Sequence, residues 1–322
     1  MVNKVYHSLV VCVASAVTLV ACSSQSDGGV SQASGSGNSD AGLQHDSAVL
    51  GPGEVDPDVA CKKMDIVFVV DNSRSMQEEQ TNLAANFPKF LSVLNKFTSR
   101  NGEPIDYRIA VTTTGVDVNV TEVISGSIQP TENQKGDNGK FRTSAGMTRP
   151  WLERGDANVS STFGTIAAVG LSGPSLEMPL EGSRRALGDR LQDTNTGFVR
   201  EDALLGLVYL TDEDDCSTSA LSVTQADGLD CTQFAEPTTT YTKFFDTLKK
   251  GRGRWATAVI AGQTKCTSTF GSAVEAKRLK TFVSEVGSSA VFNSICDGDL
   301  SGALEKALNT FDAACKTFAA PR

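Results

Sequence analysis

Residues 61–316 predict an α/β fold in which a largely parallel sheet is covered by helices on both faces. Three observations predict it: short β-rich runs alternate with helical patterns of ten to twenty residues, the two clearest strands are apolar without interruption, and polar residues suited to ligand binding follow directly where those strands end. Ile66-Val67-Phe68-Val69-Val70 comes first, and its lack of polar alternation is what burial on both faces requires. Leu83, Phe87, Phe90, Leu91 and Leu94 then recur at helical spacing. Tyr107 to Thr112 reads as a second strand. Gly115 to Thr165, rich in Gly, Asn, Thr and Asp, breaks the alternation and reads as a long excursion with one edge hairpin. Leu204-Leu205-Gly206-Leu207-Val208-Tyr209-Leu210 is the second uninterrupted apolar run, and Trp255 to Ala261 and Ala290 to Asn293 are shorter strands. Between and after them, Ala276, Leu279, Phe282 and Val283, then Leu304, Ala307, Leu308 and Phe311, form helical stripes that read as core positions.

Composition narrows the chemistry. The 322 residues are 39% hydrophobic and 21% charged, a balance that fits one sizeable core and excludes a multi-span membrane protein. Both histidines, His7 and His45, precede any folded segment, which removes His-dependent triads, HExxH zinc sites and imidazole bases. Eight cysteines without a C-x-x-C pair point to an oxidising compartment.

The N-terminus reads as an export signal. Lys4 precedes an apolar stretch from Leu9 to Val20, too short to span a bilayer, that closes on Leu19-Val20-Ala21-Cys22. Those four residues resemble a bacterial lipobox, implying a signal peptide over 1–21 and lipidation of Cys22. Ser23 and Ser24, in place of an aspartate, favour the outer membrane of a bacterial envelope by the same resemblance, with the periplasmic or surface face left open. Twelve of the residues 23–42 are Ser or Gly, so 22–60 reads as a flexible tether, with a reach of roughly 35 Å. Without its signal peptide the chain carries −10, of which six negative charges lie in the tether. No basic cluster suggests nucleic acid or anionic lipid, so contact with the membrane is expected through the lipid anchor only.

The first strand runs into Asp71-Asn72-Ser73-Arg74-Ser75-Met76. A carboxylate and two hydroxyls at alternating positions can converge at the sheet's carboxyl edge, where open α/β sheets bind ligands. Hard oxygen donors of this kind suit Mg²⁺, with Ca²⁺ or Mn²⁺ as alternatives. A helix cap by Ser73 or Ser75 is the competing explanation. The end of the second apolar run, Thr211-Asp212-Glu213-Asp214-Asp215, favours the metal by placing Asp212 at an equivalent edge.

These segments resemble the von Willebrand factor A family. The resemblance covers roughly 64–311 and rests on Asp71-x-Ser73-x-Ser75 after one apolar strand and Leu210-Thr211-Asp212 after a later one. The strings Asp71-Asn72-Ser73-Arg74-Ser75-Met76, Thr211-Asp212-Glu213-Asp214-Asp215-Cys216-Ser217 and Ser294-Ile295-Cys296-Asp297 look like those of secreted bacterial lipoproteins carrying this domain. The resemblance implies a Rossmann-like, doubly wound sheet and a metal-ion-dependent adhesion site. It also implies that Ser73 and Ser75 are direct ligands, that Asp71 and Asp212 hold the ion directly or through water, and that an open position accepts an acidic side chain from a protein or peptide partner. The chain departs from the family pattern at Arg74, where a small residue is usual, and at Glu213, where glycine is common. In the third loop, 170–177, the usual threonine is missing, and either the Ser175 hydroxyl or the Glu177 carboxylate stands in for it, with Ser175 favoured. Asp71 and Asp212 alone neutralise a divalent ion, so the addition of Glu177 makes the site anionic.

Given that fold, the ends of the domain lie close together and Cys61 is expected to pair with Cys315. Cys216–Cys231 would close the loop after the second motif, contributing roughly 3 kcal/mol, and Cys266–Cys296 would tie two neighbouring strand ends. Residues 317–322 read as a tail. Asp297 to Gly302 opens like a calcium loop but has Leu308 at its twelfth position, so capping by Asp299 or Ser301 is expected. Gly251-Arg252-Gly253-Arg254 precedes a strand and is a turn. The expected function is non-catalytic recognition through a bound divalent ion. The alternatives are a metal-independent envelope scaffold and, more remotely, a hydrolase using Asp214 or Glu213 as base.

Overall fold

The computed structural model describes residues 61–99, 102–226 and 231–318. The signal peptide expected over 1–21, the lipidation expected at Cys22, the tether to residue 60 and the last four residues lie outside the described residues. In chain order the elements are β1 (Lys63–Val70), α1 (Gln77–Leu94), β2 (Asp106–Thr113), β3 (Val118–Ile124), β4 (Ser127–Ile128), β5 (Glu132–Gln134), β6 (Leu152–Glu153), α2 (Val159–Ala167), α3 (Pro179–Leu187), β7 (Leu204–Leu210), β8 (Ser222–Ala226), α4 (Thr238–Leu248), β9 (Trp255–Ala261), β10 (Cys266–Ser268), β11 (Gly271–Ala273), α5 (Lys277–Val286), β12 (Ala290–Ser294) and α6 (Ser301–Lys316).

The main sheet has the order β12-β9-β7-β1-β2-β6. Its first five strands are parallel, and β6 pairs antiparallel at the edge. Alternate residues of β1 serve opposite cores. Ile66, Phe68 and Val70 pack with α1, α2 and α6, whereas Val67 and Val69 pack with α3, α4 and α5. The doubly wound α/β arrangement is therefore present, and burial on both faces is the reason β1 and β7 are apolar throughout. Phe68 anchors the first core edge-on to Phe87, Phe90 and Phe163, an arrangement that aromatic quadrupoles favour.

The strand order reverses at β1 and β7. The chain proceeds outward from β1 through β2 and returns to lay β7 on the other side of β1. At such a switch point neighbouring loops diverge and leave a crevice outside the carboxyl ends of the strands. Asp71 and Asp212 emerge there, and the Asp71 N–H donates to the Leu210 carbonyl (2.9 Å), which fixes the two strand ends side by side.

The excursion from 115 to 165 is more ordered than an irregular loop with one hairpin. It holds β3, β4 and β5, which join β8 from the loop after β7 in a second, four-stranded sheet; α2 and the edge strand β6 also fall within or beside it. Val118, Val120 and Val223 of this sheet bury against Leu176, Met178 and the Cys216–Cys231 disulfide. The structure also pairs Cys61 with Cys315 and Cys266 with Cys296, with Cα separations of 5.1 and 6.4 Å. The residues before β9 form a 3-10 turn, Arg252–Arg254. Phe318, just beyond α6, is buried beneath the Arg254 guanidinium. Among the described residues no helix is long and apolar enough to cross a membrane.

Candidate metal centre

Where β1 ends, the Ser73 N–H turns back to donate to Asp71 Oδ1 (2.7 Å), and the chain passes through the 3-10 turn Arg74–Met76 into α1. This is an Asx turn, the local preference of Asp in such a position. The Ser73 side chain makes no capping hydrogen bond; its Oγ lies 3.1 Å from that of Ser75. The other Asp71 oxygen accepts from Thr211 Oγ1 (2.7 Å), so the residue before Asp212 binds the first motif to the second. Gln80, one turn into α1, donates through Nε2 to the carbonyls of Asp71 (2.9 Å) and Gly170 (2.8 Å), drawing the third loop in. That loop approaches closely at Gly173, whose N–H donates to the Asn72 carbonyl (2.9 Å). A Cβ at Gly173 would stand 2.3 Å from Asn72 Oδ1, so a larger residue would displace the Asn72 side chain.

Of the two candidates in the third loop, Glu177 is the one beside Asp71. Its Oε2 accepts from Thr114 Oγ1, and the two carboxyl groups hydrogen-bond to each other. Burial first, and then the Asp71 charge, hold the Glu177 carboxyl well above the usual range; burial also raises Asp71. The Ser73 and Thr211 donors pull back against the rise at Asp71, as the Thr114 hydroxyl does at Glu177. Ser175 sits on the exposed rim, where its hydroxyl accepts from Gln134 Nε2 (2.8 Å) of β5. It lines a cleft with Ser73, Arg74, Ser75, Pro174 and Glu213.

Asp212 is 4% exposed, and its Oδ1 has no hydrogen-bond partner among the described residues. Burial and the Asp71 charge push its pKa up to about 6, against the pull of the Ser75 hydroxyl. Glu213 is pushed up to about 7 by burial and then by Asp212 and Asp71. Glu177 Oε1 and Asn72 Oδ1 are likewise buried without partners. Unpartnered buried oxygens are costly, and a cation is one group that would satisfy them. The donors are hard oxygens, as Mg²⁺, Ca²⁺ or Mn²⁺ require. Among the described residues no group of three or more His, Cys, Asp and Glu side chains is arranged to hold a metal ion. Ser73 and Ser75 add two hydroxyl oxygens beside the carboxylates.

Thr211, Thr114, Gln80 and Glu79 build this edge without being part of the predicted ligand set. Glu79 is 1% exposed, both its carboxylate oxygens lack partners, and burial, with Asp212 next, pushes it up to about 7. Gly271 of β11 makes room for it, since a Cβ there would overlap Glu79 Oε1. The sequence does carry a signal for this burial, because Glu79 follows Met76 by three and precedes Leu83 by four, which puts it on the apolar stripe of α1. Asp214 is committed elsewhere, accepting from the N–H groups of Arg278 and Leu279 at the start of α5. Asp215 pairs with Arg278 (3.0 Å). Asp299 accepts from the Ser301 N–H (3.1 Å) at the start of α6.

No family model matches the chain, and no curated protein matches it. Among solved structures, proximal thread matrix protein 1 from the mussel byssus is 12% identical in one crystal form, covering 78% of this chain and 48% of that one, with a TM-score of 0.39. The same protein with a zinc-occupied MIDAS motif is 15% identical over 80% and 46% of the two chains, with a TM-score of 0.39. The adhesive tip pilin of Group B Streptococcus agalactiae is 16% identical over 48% and 29%, with a TM-score of 0.25. The chain spans about half the length of the mussel structures it matches.

Proposed function

We propose that this domain is a non-catalytic adhesion or recognition module that takes a divalent ion at the carboxyl edge of β1 and β7 and, held to a bacterial envelope through Cys22, captures an acidic protein or peptide. Ser73, Ser75, Asp71 and Asp212 would hold the ion, with Glu177 behind Asp71 and Ser175 on the rim. Mg²⁺ is the resident expected from the donor set, and it would supply a Lewis-acidic position at the mouth of the cleft. The observation that carries this reading is the convergence of two hydroxyls with buried carboxylates, oxygens of which have no partner among the described residues. Asp214 is engaged in capping α5, which leaves it unsuited to act as a base.

A metal-independent scaffold is the second reading, and one observation favours it: Ser73 and Thr211 donate to the two carboxylate oxygens of Asp71 without an ion. Titration of Mg²⁺ into chelator-stripped protein, followed by calorimetry, separates the two. Saturable binding that disappears in Asp71→Ala and Asp212→Ala supports the metal-dependent module. No saturable binding by wild type rejects it in favour of the scaffold.

A further inference from the structure

Arg74 is the one cation among the residues that line the cleft. It is exposed, it stands between Ser73 and Ser75 in the 3-10 turn, and among the described residues it forms no ion pair or side-chain hydrogen bond. The rest of the lining is neutral or acidic. Ser172 and Ser175 offer hydroxyls, Leu171 and Pro174 offer apolar surface, and Glu213 offers a carboxyl group.

That distribution bears on what can enter. A divalent ion held by Asp71 and Asp212 has its charge cancelled by them, and Glu213 faces the same opening with Glu177 behind. A carboxylate that coordinates such an ion gains little from net charge, so a second contact adds to its hold. A guanidinium, by contrast, presents a planar fork of donors that matches both oxygens of a carboxylate. From this charge distribution we infer that Arg74 is the specificity-determining residue of the cleft, taking an aspartate or glutamate side chain of the partner in a two-point hydrogen-bonded ion pair. The inference rests on the cleft serving recognition, as proposed above, and its test runs with and without the metal so that the two can fail separately. Glu213, in the lining of the same cleft, then penalises a carboxylate that is not seated on the guanidinium, so one cleft both attracts and discriminates.

The test uses full-length protein and two probes, acetyl-Leu-Asp-amide and acetyl-Leu-Asn-amide, titrated at neutral pH with Mg²⁺ and with chelator and followed by nuclear magnetic resonance shifts. Wild type is expected to prefer the Asp probe by about tenfold, the scale of a charge-assisted pair at a partly solvated site. Arg74→Ala and Arg74→Glu are expected to lose the preference, Arg74→Lys to regain part of it, and Mg²⁺ affinity not to fall in Arg74→Ala. Circular dichroism confirms that each variant is folded. Equal preference in wild type and Arg74→Ala overturns the inference, as does wild type that binds neither probe. Arg74-dependent preference in protein that binds no Mg²⁺ rejects the metal reading of the previous section while upholding the role of Arg74.

Discussion

Asp65 and Asp71 lie on the same face of β1, at opposite ends, and both are buried. At the amino edge Asp65 accepts from the Arg200 N–H (2.6 Å) and from its guanidinium (2.8 Å), and Arg200 also reaches Asp106. Lys249 and Arg254 join the same edge by donating to main-chain carbonyls, Lys249 to Arg200 and Arg254 to Glu201. At the carboxyl edge Asp71, Glu79, Glu177, Asp212 and Glu213 gather, and among the described residues no Lys or Arg forms an ion pair with any of them. A buried carboxylate lacking a counter-charge is costly, and the chain evidently places guanidinium groups against buried acids where structure alone is at stake. The two ends of one strand thus differ in kind: buried acid is matched by guanidinium at the amino edge and gathers without an ion-pair partner, among the described residues, at the carboxyl edge.

The largest effect that sharpens this contrast is expected from Arg200→Met. Leaving Asp65 buried and unpaired costs about 3–5 kcal/mol, read from urea unfolding. Asp212→Asn, at the other end, should not lower the stability of metal-free protein, because it removes repulsion with Asp71. Equal losses in the two variants would make the carboxyl edge a structural cluster like its counterpart and dissolve the comparison.

The pH dependence comes next. Asp212, Glu213 and Glu79 have folded-state values raised to about 6, 7 and 7, above their ordinary carboxylate values of 3.8, 4.5 and 4.5. Between about pH 4 and 7 the folded protein therefore holds protons that the unfolded chain releases, and the metal-free fold loses stability as pH rises through that window. A bound divalent ion favours the ionised carboxylates, so the added stability measured with Mg²⁺ relative to chelator should grow with pH over the same window. Parallel profiles with and without Mg²⁺ would separate these carboxylates from metal binding.

The smallest expected effect tests a single hydroxyl. Because Ser73 makes no side-chain cap, Ser73→Ala should change stability in chelator by less than about 0.5 kcal/mol. The rise in melting temperature on adding Mg²⁺ should shrink. A rise as large as that of wild type removes Ser73 from the coordination sphere.

The central sheet was legible because a strand buried on both faces has to be apolar at every position, and Leu204 to Leu210 and Trp255 to Ala261 coincide with β7 and β9. The stripes of α1, α5 and α6 were legible for the same reason. α4 was not: Thr238–Leu248 is rich in β-branched threonine, a weak helix former, and few of its residues face the core. The second sheet was hidden more deeply, since β3 pairs with β8 about a hundred residues away and no local period records such a pairing. At the centre itself the motif identified Asp71, Ser73, Ser75 and Asp212 as neighbours. It left Ser175 and Glu177 open, because the proximity of Glu177 to Asp71 depends on how Gln80 and Gly173 seat the third loop.

The clasp between Cys61 and Cys315 governs how the molecule responds to tension. A pull arriving through the residues before Cys61 reaches a sulfur bridged to the end of α6 before it reaches the first hydrogen bond of β1. Tension between that point and a ligand held at Asp71 runs along β1, which is bonded over its length to β2 on one side and β7 on the other. Both points lie on one covalent segment, so the backbone of β1 carries the load and neither ladder is unzipped rung by rung from a free end. On the function proposed above, traction between the tether and the cleft would fall on the covalent chain of one strand.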